Sequence, residues 1–170
     1  MILFIAGATG GHLFPAIAMN QELRKESEFV VPRKEPPNSI FSPYQIVPTI
    51  FPLTRRRLIL FPVLIIKAMM MIRKRQARIV ILMGGGVCVP FAIAAWLMRI
   101  PILAFEQNVV PGRAIRIVQF FASSIITSYS ATTQRLIMKK INGGKIHYGK
   151  NLKKIECLNR LEWVNYFYYL

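Results

Sequence analysis

Residues 2–15 read ILFIAGATGGHLFP: an apolar run, a glycine-rich turn and the opening of a helix. The apolar run at 2–6 suits a strand buried on both faces, and Gly7, Gly10 and Gly11 supply a turn with no side chains in the way. The helix is predicted to start at about Leu13. A strand that ends in glycines against a helix N-terminus aims backbone N–H groups and the positive end of the helix dipole at one spot, an arrangement suited to a phosphate. His12 stands at the rim of that spot. The same residues also serve a tight strand-to-helix turn whose glycines only let the two elements pack. The spacing matches neither GxGxxG nor the phosphate loop GxxxxGK[ST]. Both readings stay open on this stretch alone.

The pattern recurs further along. Residues 79–83 form a second buried strand that runs into Gly84-Gly85-Gly86, with a helix over 89–98 led in by Pro90. A strand at 101–105 ends at Glu106-Gln107-Asn108 and the Pro111-Gly112 turn. A helix over 113–121, a strand over 124–128 and a helix over 131–141 follow, with a short strand over 145–148 after the Asn142-Gly143-Gly144 break. Strands alternating with helices at this pitch imply parallel βαβ units in a doubly wound α/β sheet. Near the start, an amphipathic helix over 13–26 tolerates Pro15 in its first turn. Between 28 and 52, proline recurs at positions 32, 36, 37, 43, 48 and 52, so only two weak strands, EFVV over 28–31 and YQIV over 44–47, separated by loop are expected there.

At 170 residues the chain suits one domain with a proper core. A net charge of +16 alongside 54% hydrophobic residues and a mean hydropathy of +0.39 excludes a disordered chain. That balance fits nucleic acid, an anionic membrane surface or an acidic substrate such as a diphosphate. The densest basic clusters, Arg55-Arg56-Arg57 and Arg73-Lys74-Arg75, bracket the apolar segment 58–72, and this placement favours a membrane surface. The segment, LILFPVLIIKAMMMI, is shorter than the ~18 to 20 residues a spanning helix needs and contains Pro62 and Lys67. It reads equally as a helix half-inserted at the interface or as a core helix of the α/β domain. The expected membrane contacts are Arg55, Arg56, Arg57, Leu58, Ile59, Leu60, Arg73, Lys74 and Arg75. Cys88 and Cys157 make neither a disulfide framework nor a metal set, and no signal peptide precedes the first strand, so a cytoplasmic setting is expected.

In open α/β sheets, ligands bind outside the carboxyl ends of the strands, where strand order reverses. Three loops are expected on that edge, at 7–12, 83–89 and 106–108, and together they point to an anion and sugar site. Glu106 suits a base or a ligand of sugar hydroxyls, and Asn108 can donate and accept at once. The alternative for Glu106-Gln107-Asn108 is a polar loop that caps a neighbouring helix.

Gly7-Ala8-Thr9-Gly10-Gly11-His12, the Met83-Gly84-Gly85 turn leading to Pro90, and Glu106-Gln107-Asn108 followed by Val109-Val110-Pro111-Gly112 resemble, in order, the amino-terminal half of the MurG family. These glycosyltransferases add N-acetylglucosamine to undecaprenyl-diphosphate-linked muramoyl-pentapeptide in peptidoglycan synthesis. The resemblance implies a GT-B fold of two Rossmann-like domains, the first meeting the lipid acceptor at the cytoplasmic face of the membrane and the second holding most of the UDP-sugar. By position it implies Thr9, Gly10, Gly11, Gly84, Gly85, Gln107 and Asn108 as substrate-binding residues, and His12 and Glu106 as acid-base or acceptor-side residues. His12 is the expected general base for the acceptor 4-hydroxyl, with no metal or other cofactor required and no Asp-x-Asp motif present. The chain departs from the family at Ala8, Gly86, Cys88, Val89, Phe105 and Ile115.

The likeness covers residues 1–150. It leaves 151–170 as a hinge remnant and aromatic tail, and gives the donor domain no counterpart. The expectation is an acceptor-side half with negligible transferase activity alone, or a membrane-bound subunit completed by a separate donor subunit. A basic α/β module for nucleic acid is the alternative class; nucleic acid is not an expected partner on the family reading.

Overall fold

The computed structural model describes residues 1–23, 25–33, 37–53 and 61–137. Six strands, β1 (Ile2–Ile5), β2 (Ser27–Val31), β3 (Thr49–Ile50), β4 (Ile79–Leu82), β5 (Ile102–Glu106) and β6 (Ser124–Thr127), form one sheet in the order β3-β2-β1-β4-β5-β6. Every pairing is parallel. The helices are α1 (Gly10–Leu23), α2 (Pro37–Phe41), α3 (Phe61–Lys74), α4 (Cys88–Leu97), α5 (Arg113–Val118) and α6 (Ser130–Gln134). Strand order runs outward from β1 through β2 to β3, then returns to β4 on the other side of β1, which makes β1 and β4 the point of reversal.

The unbroken apolar strands follow from burial on both faces. Leu3, Ile5, Val80, Leu82 and Ala104 point to one side, where Leu64, Ala68, Phe91, Ala95 and Ile115 of α3, α4 and α5 meet them. Phe4, Ile81, Leu103 and Phe105 point to the other, against Leu13, Ala16 and Ile17 of α1 and Phe41 of α2. Phe4 stacks on Phe29 with ring centroids 4.9 Å apart, and Phe29 meets Phe41 at 5.0 Å. Each large side chain buried this way contributes roughly 1.5–3 kcal/mol.

Several boundaries differ from the sequence expectation. Helix α1 starts at Gly10, because the Thr9 carbonyl already accepts from His12 N at 3.0 Å and Leu13 N at 3.1 Å. His12 therefore lies in the first helical turn. Of the two strands expected in the proline-rich stretch, the one over 28–31 is β2, but 44–47 is not a strand: Tyr44 closes a 3-10 turn over Ser42–Tyr44, Gln45 takes φ of 55°, and the two-residue β3 falls at Thr49–Ile50 instead, with α2 preceding the turn. Pro37 heads α2, where its fixed φ suits the first helical position and its missing N–H costs nothing. Helix α3 runs two residues beyond Ile72, so Arg73 and Lys74 sit in its last turn, the favourable end for cations. Helices α5 and α6 are shorter than expected, ending at Val118 and Gln134. The predicted strand at 145–148, the 151–170 tail, Cys157, and Arg55, Arg56, Arg57, Leu58, Ile59 and Leu60 lie outside the described residues.

Helix α3 joins both readings of its segment. Leu64, Ala68 and Ile72 are buried in the core, while Val63, Ile66 and Met70 are exposed on its outer side, with Lys67 among them. Among the described residues no helix is long and apolar enough to cross a membrane. Arg75 differs from its neighbours. Its Nε lies 3.0 Å from Glu28 Oε2, and the Thr49 hydroxyl donates to the other Glu28 oxygen. The sequence grouped Arg75 with cations meant for lipid headgroups, whereas the structure gives it a protein partner that ties the end of α3 to β2.

Candidate functional site

At the carboxyl edge, beside the β1/β4 reversal, a cleft of about 610 Å³ is lined by His12, Leu53, Phe61, Gly84, Glu106, Asn108 and Arg113, among others. Its floor is the glycine turn at 84–86, which is in direct contact with Gly7 of the first turn. Gly7 N donates to Gly84 O at 2.8 Å, and a Cβ on Gly85 would stand 2.7 Å from Gly7 Cα. Gly84 and Gly85 adopt φ of +101° and +88°, a region that side chains disfavour. These two glycines are thus needed twice, for conformation and for close approach. Beneath them the buried Cys88 Sγ lies 3.1 Å from Gly84 O and 3.4 Å from Ile5 O, its single S–H within reach of both carbonyls and linking the turn to the end of β1. Burial pushes that thiol up to about 12.

His12 reaches down from α1 onto this floor, its ring against Gly7 and Gly84. Glu106, only 2% exposed, accepts from Asn108 N and Asn108 Nδ2 at 2.9 Å each through Oε1, and from Gly112 N at 2.8 Å through Oε2. This is the capping role weighed for that loop: the carboxylate closes the turn from β5 to α5. It also fixes the Asn108 amide, whose Nδ2 is committed to Glu106, leaving Oδ1 as the acceptor offered to a ligand. From outside, the buried Thr132 hydroxyl of α6 lies 2.8 Å from Asn108 O and 3.2 Å from Val109 O.

Of the predicted substrate residues, Gly84, Gly85 and Asn108 line the cleft together with His12 and Glu106. Thr9 and Gly11 are exposed beside it, and Gly10 packs near the Phe14 ring. Gln107 turns to the opposite side of β5. Its Nε2 donates to Met83 O at 3.4 Å, and it borders a separate cavity of about 390 Å³ with Pro15, Phe105, Ser128 and Tyr129. The alternation of side chains along a strand accounts for this, since neighbours at a strand end face opposite layers. Sequence reasoning missed Arg113, an exposed cation at the first position of α5. Its place directly after the Pro111-Gly112 turn was the available signal. It also missed Leu53 and Phe61, which line the cleft.

The model for the glycosyltransferase family 28 N-terminal domain matches residues 40–127. The chain is 34% identical over 146 residues to the UDP-N-acetylglucosamine--N-acetylmuramyl-(pentapeptide) pyrophosphoryl-undecaprenol N-acetylglucosamine transferase of Coxiella burnetii, a match covering 77% of this chain and 40% of that protein. Among solved structures it resembles Acinetobacter baumannii MurG, with a TM-score of 0.69 and 23% identity over 77% of this chain and 42% of that one. It also resembles UDP-GlcNAc 2-epimerase from Neisseria meningitidis, bound to UDP-GlcNAc, with a TM-score of 0.64 and 11% identity over 80% and 42%. The chain thus spans about two fifths of the length of the proteins it matches.

Proposed function

The chain belongs to the glycosyltransferase family 28 N-terminal domain family, and on that premise we propose that it forms the acceptor-side half of a peptidoglycan glycosyltransferase. One observation carries the proposal: the glycine turn at 84–86, held against the first turn by the Gly7 N–H, opens with His12 and Asn108 onto a single cleft at the reversal of strand order. In the reaction assigned to the complete enzyme, the 4-hydroxyl of the muramoyl unit of undecaprenyl-diphosphate-MurNAc-pentapeptide attacks the anomeric carbon of UDP-GlcNAc. The new C–O bond forms as the bond to UDP breaks with inversion, UDP leaves with the electron pair, and the hydroxyl proton passes to a base. Within this chain, the glycine turns and Arg113 suit the diphosphate, and Asn108 Oδ1 suits a sugar hydroxyl. Glu106 acts as a positioning residue through Asn108 and Gly112. The donor's uridine and most of its sugar are assigned to a second Rossmann-like domain, on a longer protein or a separate subunit.

A membrane surface is the proposed platform, at its cytoplasmic face. Helix α3 begins at Phe61 in the cleft wall, and its outer side presents Val63, Ile66 and Met70 with Lys67, Arg73 and Lys74 nearby. Trp96 and Leu97 are exposed on the adjoining α4. Apolar side chains ringed by cations suit the headgroup boundary of an anionic bilayer. A lipid lying along α3 would bring its diphosphate to the cleft mouth.

The test is an amide-shift titration of the full chain with a short-chain polyprenyl-diphosphate-MurNAc-pentapeptide. Shifts are expected at Gly84, Gly85, Asn108 and Gly112, and shifts confined to other surfaces would sink the assignment. With radiolabelled UDP-GlcNAc and lipid acceptor, the chain alone is expected to give negligible turnover. Turnover that His12→Ala abolishes would overturn the half-enzyme reading.

A further inference from the structure

The ring of His12 lies in a notch between glycines. A Cβ on Gly84 would stand 2.6 Å from Cε1 and 2.8 Å from Nδ1, and one on Gly7 would stand 2.7 Å from Cδ2. Nδ1 is buried with no hydrogen-bond partner among the described residues, yet the residue lines the cleft. Nε2 is therefore the ring nitrogen left for the open side. A neutral imidazole has one N–H and one bare nitrogen. A buried N–H without an acceptor is rarer in folded proteins than an unsatisfied acceptor, so the burial favours a bare Nδ1 and a proton on Nε2.

A histidine base requires the opposite wiring. Its Nε2 must be bare toward the substrate, and its Nδ1–H must be held by a carbonyl or carboxylate that steadies the imidazolium. No described residue stands behind Nδ1 in that way. Glu106, the carboxylate in the same cleft, has both oxygens engaged by N–H groups of its own loop. An N–H at Nδ1 would lie in a buried spot with no acceptor among the described residues.

We propose that His12 is a neutral hydrogen-bond donor, through Nε2–H, to an unesterified oxygen of a diphosphate in the cleft, and is not the base that removes the acceptor's proton. This rests on the diphosphate reading of the cleft given above. The notch then has a purpose: glycine at 7 and 84 lets the ring lie flat against backbone, which fixes its direction without any partner at Nδ1.

The test reads the ring nitrogens of the full chain, labelled with 15N-histidine, by long-range proton–nitrogen correlation near neutral pH, with His147→Gln to assign the two histidines. The expected result is a protonated Nε2 and a bare Nδ1, with inorganic pyrophosphate shifting Nε2 and its proton. A bare Nε2 with Nδ1–H, or a doubly protonated ring, overturns the proposal. So does pyrophosphate that shifts the Gly84 and Gly85 amides while leaving Nε2 unmoved. If pyrophosphate moves neither the amides nor the ring, the diphosphate reading of the cleft falls and takes the proposed acceptor with it, while the tautomer measured without ligand separately decides the wiring. In parallel, His12→Gln keeps an N–H donor and is expected to bind pyrophosphate within about threefold of the parent, whereas His12→Phe is expected to lose about tenfold. Equal affinities for the two variants, with unchanged circular dichroism, would count against the donor role.

Discussion

Single atoms decide what each glycine of the two turns is for. Gly85 faces the Gly7 backbone, where a Cβ would be 2.7 Å from Cα, and it also has positive φ. Gly11 sits in the first turn of α1, and a Cβ there would meet nothing within 4 Å. Gly85→Ala is therefore expected to cost about 2 kcal/mol or more, while Gly11→Ala should raise stability by up to ~1 kcal/mol, both read from urea midpoints. A Gly11→Ala variant less stable than the parent would contradict the placement of that residue. Cys88 gives a pH signature. Its thiol is raised from the ordinary 9.0 to about 12 by burial, so the folded chain keeps a proton that the unfolded chain loses between those values. The unfolded state binds fewer protons there, and stability present below pH 9 must fall as pH rises through that window. On a Cys157→Ser background, urea midpoints should drop with pH above about 9, and Cys88→Ser should flatten that slope.

At the scale of elements, α3 and α4 end alike. Gln76 and Arg99 take φ of 49° and 56°, and the next amides, Ala77 N and Ile100 N, reach back to Ile72 O at 3.1 Å and Ala95 O at 2.9 Å. These are helix ends that favour glycine at the left-handed position. Gln76→Gly and Arg99→Gly should each stabilise by about 0.5–1 kcal/mol, seen as a rise in thermal midpoint; a fall at both would show that the side chains there contribute more than the backbone loses. The loop from β5 to α5 follows a different logic. Glu106 organises it from beneath and Thr132 of α6 from outside, and no spacing rule in the sequence pairs Thr132 with Asn108 across more than twenty residues.

For the whole molecule, the surface of α3 and α4 is expected to govern membrane attachment. Flotation with anionic vesicles should be lost in Ile66→Asp/Met70→Asp and weakened in Lys67→Glu/Arg73→Glu/Lys74→Glu, with binding of the parent falling as salt rises. Arg75→Ala should leave flotation largely intact, because that side chain already pairs with Glu28. Flotation unchanged in the first two sets would remove the membrane reading and leave the cleft reading standing.

The stretch ILFIAGATGGHLFP, its counterpart at 79–86 and the alternation of strands and helices that follows point in the sequence to parallel strands, an α/β sheet and the edge on which ligands meet. Those features depend on local apolar runs and glycine turns, which chain periodicity encodes directly. Three matters were left to the tertiary structure: that Gly7 and Gly84 pack against His12, that Glu106 lines the cleft with both oxygens bonded to its own loop, and that Gln107 turns to the far side of β5. The reason is that hydrogen-bond partners and ring contacts are set by groups distant along the chain, brought together only when the strands align.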